Sequence, residues 1–400
     1  MKIYLSKPGL ICAAGKDSAS VYKNVCNADN SFIKKRTVYS GQEFFAASVQ
    51  KEDLQATGAR YDSKLLRMEN TALNQISSTI EKAVSKYGQE RVGVCAGSCD
   101  NMTELSSPAH QAFFSDGYFT NYSIEKQSAH YAATFIKERF GLKAPCSAFS
   151  TACSSSAVAI IKAAQLIKAG ICDAVIAGGV DIASDTALMG FGSLEAVSPE
   201  PANPFSKNRH GITMGEAAAF FVLSREDLDG NGIILAGYGE SADAYHMTSP
   251  DPEGKGAAKA MEGALKSAGL SPTEIGYLNL HGTGTKFNDS MEAKAVDKIF
   301  GSYKVPCSST KGTTGHTLGA AAALELAICF ETLENGKLPA QRWDGVHDEE
   351  LPELNFVSTP TSWAEGGTGN TGCGGHPPSI CMSNSFAFGG ANASLIIKKE

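Results

Sequence analysis

One cysteine and two histidines stand on short turns of small residues, where a side chain can react. Cys153 lies in the run 147–156 (SAFSTACSSS), which leads directly into an apolar helical pattern. A helix N-terminus presents unpaired N–H groups and partial positive charge, so the sequence predicts a stabilised thiolate with a lowered pKa at Cys153. His281 and His316 lie in glycine- and threonine-rich turns, HGTGT and KGTTGH. One thiol and two imidazoles in such settings indicate nucleophilic chemistry that forms a carbon–carbon bond.

Each of these residues also has an ordinary structural interpretation. Most cysteines are small buried thiols, and a histidine on a turn is often held by nearby backbone groups. The two glycines and two hydroxyls that follow His281 favour a function, because they leave room for the close approach of a ligand. The segment 386–392 (FAFGGAN) is either a tight turn or a turn that aims a backbone N–H at a reacting oxygen, with Phe388 screening the site.

Three carboxylates and one lysine are predicted to support this chemistry. Glu325 lies in an alanine-rich apolar helical pattern, where a carboxylate needs a partner, and Lys311 is the predicted partner. His316 is expected at the N-terminus of the same helix, which disfavours its protonation and keeps it a neutral hydrogen-bond donor. Asp289 and Glu292 have the spacing of a capping box at a helix start, and capping is their predicted main role.

Strand-like and helix-like segments alternate along the chain, which is typical of an α/β fold. Each half contains a strand, a turn with a reactive residue and a helix rich in small residues. We therefore expect two duplicated halves, 1–229 with the cysteine and 230–400 with the histidines and the lysine, whose small-residue helices pack closely together. The predicted strands are 92–97, 173–180, 277–280, 305–309 and 379–382, and the predicted helices are 154–169, 289–300 and 317–333.

The composition indicates a packed protein and excludes several functional classes. Hydrophobic residues make up 42% of the chain and charged residues 19%, as in folded globular proteins, and the net charge of −7 argues against general nucleic-acid binding. The eleven cysteines lie mostly in apolar segments, which favours reduced thiols in a cytoplasmic protein, and none has the sequence spacing of a zinc site. The first apolar stretch is too short for a signal peptide, and no later run is long enough for a membrane span.

Together these segments resemble the β-ketoacyl-acyl-carrier-protein synthases, the elongating condensing enzymes of the thiolase superfamily. The resemblance runs in order over essentially the whole chain. It implies a thiolase-like five-layer αβαβα fold. It also implies a homodimer, or a heterodimer with a related ketosynthase-like or chain-length-factor subunit. The motifs that carry it are 151–154 (TACS), 204–209 (PFSKNR), 215–216 (GE), 281–285 (HGTGT), 309–316 (STKGTTGH) and 384–392 (NSFAFGGAN).

The resemblance further implies a reaction and a role for each residue. The reaction is a decarboxylative Claisen condensation of an acyl thioester with a malonyl group on an acyl carrier protein. The substrates hang on the carrier's phosphopantetheine, and the enzyme has no cofactor or metal of its own. By this resemblance Cys153 is the nucleophile, and His281 and His316 handle the malonyl group. Lys311, Glu325, Asp289 and Glu292 support them, and Thr283 and Thr285 contact the pantetheine. Phe388 is the gate and, with Cys153, an oxyanion donor, while Lys64 and Arg67 contact the carrier protein.

Departures from the family pattern leave the pathway open among fatty-acid, polyketide and aryl-polyene elongation. Ser206 and His210 each stand where the family has aspartate, and the glycine-rich segment 366–375 is extra and predicted to be a surface excursion. Three alternatives remain at this point. A degradative thiolase needs a second cysteine as base, for which Cys373 is a candidate. A chain-initiating synthase is expected to carry asparagine in place of His316. A chain-length factor lacks the nucleophile, although this chain can still be one subunit of a ketosynthase/chain-length-factor heterodimer.

Overall fold

The computed structural model describes residues 1–117, 123–358, 361–362 and 379–400. In these residues the strands form one large sheet, a three-stranded sheet (β3–β4–β8) and a two-stranded one (β13–β15). In chain order the strands are β1 (Tyr4–Leu5), β2 (Gly9–Cys12), β3 (Ile33–Thr37), β4 (Glu43–Ala47), β5 (Val92–Gly97), β6 (Cys146–Phe149), β7 (Ala174–Asp181), β8 (Met214–Gly215), β9 (Ala217–Ser224), β10 (Ile233–Ala242), β11 (Tyr277–Asn279), β12 (Pro306–Ser308), β13 (Lys337–Leu338), β14 (Asn355–Phe356), β15 (Thr361–Ser362), β16 (Ile380–Phe386) and β17 (Ala391–Lys399).

The helices pack on both faces of the large sheet. They are α1 (Ser18–Cys26), α2 (Lys64–Gln75), α3 (Ser77–Tyr87), α4 (Thr103–Asp116), α5 (His130–Arg139), α6 (Ser155–Lys168), α7 (Asp185–Ser193), α8 (Lys255–Ala268), α9 (Lys286–Phe300), α10 (Lys311–Thr314) and α11 (Ala321–Asn335). No helix in the described part of the chain combines the length and the apolar composition needed to cross a membrane.

The same strand order occurs twice in the large sheet. The first half is ordered β2–β9–β7–β5–β6, and the second is ordered β10–β17–β16–β11–β12 and is extended by β14. In each half the first two pairings are antiparallel and the next two are parallel. The short β1 joins the halves by pairing with both β9 and β10. The duplicated α/β architecture is thus confirmed, while the domain boundary at 229/230 stays a prediction.

Three hydrophobic clusters fill the spaces between five layers of helices and sheet. The central cluster contains residues of α6 and α11 together with side chains from both halves of the sheet. The outer face of the first half is covered by α2, α3 and α5, and that of the second half by α8 and α9. Because side chains alternate along a strand, Ile176 faces the outer cluster while Val175 and Ala177 face the central one.

The two central helices approach each other closely, as their small residues predict. The hydroxyl of Ser156 on α6 accepts a hydrogen bond of 3.0 Å from the backbone N–H of Ala323 on α11. This contact brings the N-terminal ends of both helices together, and those ends are next to the predicted catalytic turns. The packing of the core therefore fixes where the turns meet.

Most predicted elements are found within one or two residues of their expected bounds, and the exceptions lie beside the site. The predicted strand 92–97 coincides with β5, and the predicted helix 154–169 with α6. The predicted helix 289–300 begins earlier, at Lys286, and the helix predicted from residue 317 begins at Ala321, after a 3-10 turn. The strand predicted at 379–382 continues to Phe386. Segment 366–375, with Cys373, lies outside the described residues.

Candidate active site

Cys153 lies on the tight turn that joins β6 to α6, two residues before the helix begins. Ala152 has a positive φ of 51°, which turns the chain sharply and directs the next side chain inward. The backbone N–H of Thr151 donates to the hydroxyl of Ser155, 2.9 Å away, and this bond closes the turn. Cys153 itself is only 6% exposed. The turn thus places the thiol just before a central helix, as the sequence predicts, and the folded chain buries it.

The pKa of the Cys153 thiol is higher than the sequence predicts. Burial is the largest effect and raises its pKa to about 11, and the carboxylate of Asp181 acts in the same direction. The positive charge of Lys311 and the backbone N–H groups of Phe388 and of Cys153 itself lower it, but by less. The predicted lowered pKa is therefore wrong. A thiol with this pKa needs a group beside it that takes its proton when it reacts.

His316 is that neighbouring group. Its Nε2 lies 2.9 Å from the Sγ of Cys153. The backbone N–H of His316 donates to Thr213 and its carbonyl accepts from Gly215, so strand β8 fixes its position. Burial and then the charge of Lys311 hold its pKa well below the ordinary value. The predicted neutral imidazole is confirmed, but burial is its main cause, because His316 precedes a 3-10 turn rather than α11 itself.

His281 lies in the same cluster as the thiol and has a defined tautomer. Nζ of Lys311 lies 3.4 Å from Nδ1 of His281. An ammonium group only donates, so Nδ1 accepts and Nε2 carries the proton. Burial, then the charges of Lys311 and His316, lower the pKa of His281 well below its ordinary value. His281 is therefore a neutral imidazole whose Nε2–H is available as a donor.

Lys311 is held in place by Glu325, as predicted from the sequence. Both side chains are buried, and Nζ of Lys311 donates to Oε1 of Glu325 in a short ion pair. Burial raises the pKa of Glu325 to about 7, and Lys311 opposes this rise. A buried ammonium is stable only with such a partner, so Glu325 on α11 positions the lysine that orients His281.

The sulfur and the two imidazoles form one compact cluster. One ligand atom from each of Cys153, His281 and His316 lies within 4.8 Å of the others. The two imidazole rings are 5.3 Å apart between centroids and nearly perpendicular, at 86°. This arrangement offers a nucleophile with two neutral hydrogen-bond donors around one small volume. Such donors stabilise an oxygen that becomes negatively charged during a reaction.

Asp289 and Glu292 do not form the predicted capping box. Helix α9 begins at Lys286, and its N-cap is Thr285, whose side chain accepts from the backbone N–H of Asn288. Asp289 and Glu292 therefore lie inside the helix, and both side chains are fully buried. The prediction failed because a hydroxyl upstream provides an equally good cap.

The two carboxylates instead hold the HGTGT turn. Glu292 accepts hydrogen bonds from the backbone N–H groups of His281 at 2.8 Å and Gly282 at 2.7 Å. Asp289 accepts from Gly284 at 3.2 Å, a residue whose φ of 83° suits glycine. Burial raises the pKa of Asp289 to about 6 and that of Glu292 to about 7, and these hydrogen bonds oppose the rise. Both residues thus position the backbone that carries the imidazole.

A cleft of about 470 Å³ adjoins this cluster, because Phe386, which lines it, also packs against the ring of His281. Thr285 and Phe388 line it, and the ring of Phe388 contacts that of Phe191 with centroids 5.8 Å apart. The hydroxyl of Thr283 lies 3.1 Å from that of Thr285 but is buried. Phe388 is a lining residue of the cleft, and its backbone N–H also lowers the pKa of the Cys153 thiol. Phe388 therefore lies at the boundary between cleft and nucleophile, the position of a gate.

Sequence reasoning missed one residue of this region, Asp181. Its carboxylate accepts from the backbone N–H groups of Cys99, Asp100 and Gly319, the last at 2.6 Å. A Cβ on Gly319 would come within 2.5 Å of the carboxylate, so this contact requires glycine. Asp181 thus ties the loop after β5 to the turn that follows His316. The available signal was an acidic residue at the end of a fully apolar strand, where a charge must have partners.

The two basic residues predicted to meet a carrier protein are both engaged in ion pairs. Nζ of Lys64 lies 2.5 Å from Glu216, and its side chain is only 18% exposed. The ammonium faces inward, which contradicts the predicted surface role of Lys64. Arg67 pairs with Asp62 at 2.6 Å and is more exposed, so its contact with a carrier stays a prediction.

Comparison with known families gives two adjoining matches. Residues 27–228 match the beta-ketoacyl synthase N-terminal domain, and residues 233–342 match the beta-ketoacyl synthase C-terminal domain. The two matches meet where the chain passes from β9 to β10. They cover Cys153, both histidines, the lysine and the glutamate of the site.

Individual relatives agree with these matches. A 3-oxoacyl-[acyl-carrier-protein] synthase 2 from Coxiella burnetii is 34% identical over 79% of this chain and 77% of its own length. One from Staphylococcus aureus is 27% identical over 100% of this chain and 98% of its own. Among solved structures, a ketosynthase (ApeO) in complex with its chain length factor (ApeC) from Xenorhabdus doucetiae superposes with a TM-score of 0.88. It is 37% identical and covers 100% of this chain and 98% of that one.

Proposed function

The chain belongs to the β-ketoacyl synthase family, and we propose that Cys153, His281 and His316 carry out its condensation reaction. The enzyme is an acyltransferase that joins an acyl thioester to a malonyl unit on an acyl carrier protein and makes a β-ketoacyl thioester two carbons longer. The observation that carries the residue assignment is the 2.9 Å contact between the Cys153 thiol and His316, with the lysine-oriented His281 beside them. Family membership removes the degradative thiolase and the chain-initiating synthase from consideration.

In the first half-reaction Cys153 takes the acyl group from its carrier. The sulfur attacks the thioester carbonyl while its proton passes to Nε2 of His316. The carrier thiolate then leaves and takes this proton from His316, so that it departs as a thiol and the imidazole is neutral again. The tetrahedral oxyanion is held by the backbone N–H groups of Cys153 and Phe388, both of which lower the pKa of the thiol. The product is an acyl group bound as a thioester to Cys153.

In the second half-reaction the malonyl group loses CO2 and becomes the nucleophile. Cleavage of its carboxylate carbon–carbon bond leaves an enolate on the thioester oxygen, which accepts from the Nε2–H of His281 and from His316. Once Cys153 is acylated it no longer presents a proton to His316, whose single proton then lies on Nε2, because Nδ1 has no partner among the described residues. The enolate carbon then attacks the acyl carbonyl on Cys153, and the sulfur leaves. Lys311 and Glu325 keep His281 in the donor tautomer throughout. Thr285 and Phe388 meet the pantetheine arm in the cleft, with Thr283 behind them.

The partners are an acyl carrier protein and a second synthase-like subunit. The likeness to the ApeO ketosynthase, 37% identical over the full chain, favours a role as the catalytic subunit of a ketosynthase/chain-length-factor pair over a homodimeric housekeeping synthase. Light scattering of the purified chain, alone and with a co-encoded synthase-like subunit, tests this preference. A fully active monomer would exclude both kinds of dimer. We further propose that the protein works in the cytoplasm, where its buried thiols stay reduced.

Intact-mass analysis tests the proposed chemistry. The protein is incubated with a panel of acyl-carrier proteins and, separately, with malonyl-carrier protein alone. We expect an acyl adduct on the wild type, none on Cys153→Ala, and release of CO2 from malonyl-carrier protein. The Cys146→Ala variant, which removes a partly exposed cysteine outside the site, is the control and should acylate normally. An adduct that persists in Cys153→Ala would overturn the assignment of the nucleophile.

A further inference from the structure

The arrangement that serves catalysis also has the composition of a metal site. Cys153, His281 and His316 are all buried and bring one sulfur and two ring nitrogens within 4.8 Å of one another. Zn²⁺ is commonly held by cysteine sulfur and histidine nitrogen, and three protein ligands with one open position describe its catalytic sites. The sequence spacing of these residues does not indicate a metal site, because the fold brings them together from three separate turns.

The distances require only a small adjustment. Tetrahedral Zn²⁺, with bonds of about 2.3 Å to sulfur and about 2.0 Å to nitrogen, places its ligand atoms about 3.3 to 3.6 Å apart. The sulfur and Nε2 of His316 are 2.9 Å apart and would separate slightly, while the longest spacing of the three, at most 4.8 Å, would shorten.

We propose that Zn²⁺, taken up through the cleft, binds Cys153, His281 and His316 and reversibly inhibits the enzyme. The metal forms a bond with the sulfur, whose proton is released to solvent, and no oxidation or reduction takes place. The bound thiolate cannot attack an acyl thioester. The binding rests only on the geometry of the three side chains, whereas the inhibition rests on the proposed role of Cys153.

Lys311 makes this site weaker than a resident zinc centre. A histidine that ligates a metal normally donates its second ring N–H to a carboxylate or a carbonyl. Here the second nitrogen of His281 faces an ammonium group instead, 3.4 Å away. Metal on Nε2 forces a proton onto Nδ1, so two donors then face each other beside an added positive charge. The lysine therefore favours the catalytic tautomer and disfavours the metal-bound one.

Substitution of Lys311 should consequently tighten metal binding while it impairs condensation. We expect Lys311→Met to bind Zn²⁺ about 10- to 100-fold more tightly than the wild type, the range by which such outer partners change affinity. The matched control is Lys162→Met, which removes an exposed lysine of α6 that pairs with Glu240. Its affinity for Zn²⁺ should equal that of the wild type.

Co²⁺ is the spectroscopic probe, because it replaces Zn²⁺ and reports its ligands. After treatment with a chelator, the protein is titrated with Co²⁺ alone. We expect a sulfur-to-cobalt charge-transfer band with intense tetrahedral d–d bands, which Zn²⁺ then displaces. Cys153→Ser, which keeps the side-chain shape, should lose the charge-transfer band, and His316→Ala should weaken binding. Absence of the band in the wild type, or its persistence in Cys153→Ser, overturns the proposal.

A separate measurement distinguishes failure of this proposal from failure of the proposed function. Condensation is assayed in the presence of chelator and again with added Zn²⁺. Activity in chelator together with no cobalt band refutes only the metal site. No acylation of Cys153 in chelator, with a normal cobalt band, refutes only the proposed function. Inhibition that a chelator reverses, and that follows the cobalt titration, supports both.

Discussion

The contact between Cys153 and His316 leads to a prediction about which histidine serves which half-reaction. Nε2 of His316 contacts the sulfur of Cys153 directly. His281 instead has its tautomer set by Lys311, which makes its Nε2–H a hydrogen-bond donor. His316→Ala should therefore impair both acylation and decarboxylation. His281→Ala should impair decarboxylation and leave acylation near the wild-type rate. The sequence alone, with its expected thiolate at a helix N-terminus, predicts that neither histidine is needed for acylation.

The structure sets the size of these effects. With its pKa at about 11, the thiol of Cys153 is ionised in only about one molecule in 10⁴ at pH 7. A positioned base that takes the proton during attack contributes about 10²- to 10⁴-fold, so acylation by His316→Ala should fall by at least about 10²-fold. Loss of one donor to a developing oxyanion costs about 10²- to 10³-fold, which is the expected fall in decarboxylation for either variant.

The two half-reactions are measured separately, acylation by intact mass under single-turnover conditions and decarboxylation by CO2 release from malonyl-carrier protein. Raising the pH should restore acylation to His316→Ala, because hydroxide increases the thiolate fraction without an imidazole. A normal acylation rate in His316→Ala at pH 7 would falsify the role of His316 as a base. The helix N-terminus would then be the group that activates Cys153. Slow acylation in His281→Ala, with fast acylation in His316→Ala, would reverse the assignment of the two imidazoles.

Two further predictions concern groups outside the imidazole pair. Glu69 on α2 is buried with no hydrogen-bond partner for either carboxyl oxygen among the described residues, and burial, opposed by Arg139, raises its pKa well above 4.5. The folded protein therefore keeps Glu69 protonated, and above pH 4.5 its free energy of unfolding falls by about 1.4 kcal/mol per pH unit until Glu69 ionises. In urea unfolding, the stability of Glu69→Gln relative to the wild type should increase as the pH rises from 5 to 8. A difference in stability that does not change with pH would contradict this. Iodoacetamide should label Cys153 before the more exposed Cys99 and Cys146. An imidazole contacts the thiol of Cys153, whereas burial raises the pKa of Cys99 and Cys146 as well. Peptide mapping after brief labelling decides this, and earlier labelling of Cys146 would count against it.

The sequence predicts local features of the site better than the environments of its groups. The turns bearing Cys153 and His281 are recognisable because glycine, threonine and serine cluster beside apolar runs. The Lys311–Glu325 pair could be predicted because a carboxylate in an apolar helix requires a partner. These inferences need only a few neighbouring residues and a general rule about burial.

What the sequence did not predict depends on contacts between distant segments. The high pKa of Cys153 follows from a burial that only the folded halves create, and it outweighs the helix terminus. The inward turn of Lys64 depends on Glu216, 152 positions later. The role of Asp181 depends on Gly319, which the packing of α11 brings to the end of β7. Sequence spacing carries no information about such pairs.

The distribution of charge in the site accounts for its chemistry. Around Lys311 the two imidazoles are neutral, the thiol is protonated, and the ammonium is matched by Glu325. The enolate brings a negative charge to this group of neutral imidazoles and a paired ammonium. Loss of CO2 creates that charge beside two fixed donors and a buried ammonium, in surroundings that weaken electrostatic interactions far less than water does. The burial that raises the pKa of Cys153 therefore also strengthens the stabilisation of the enolate, and an imidazole at the sulfur is what lets one site perform both steps.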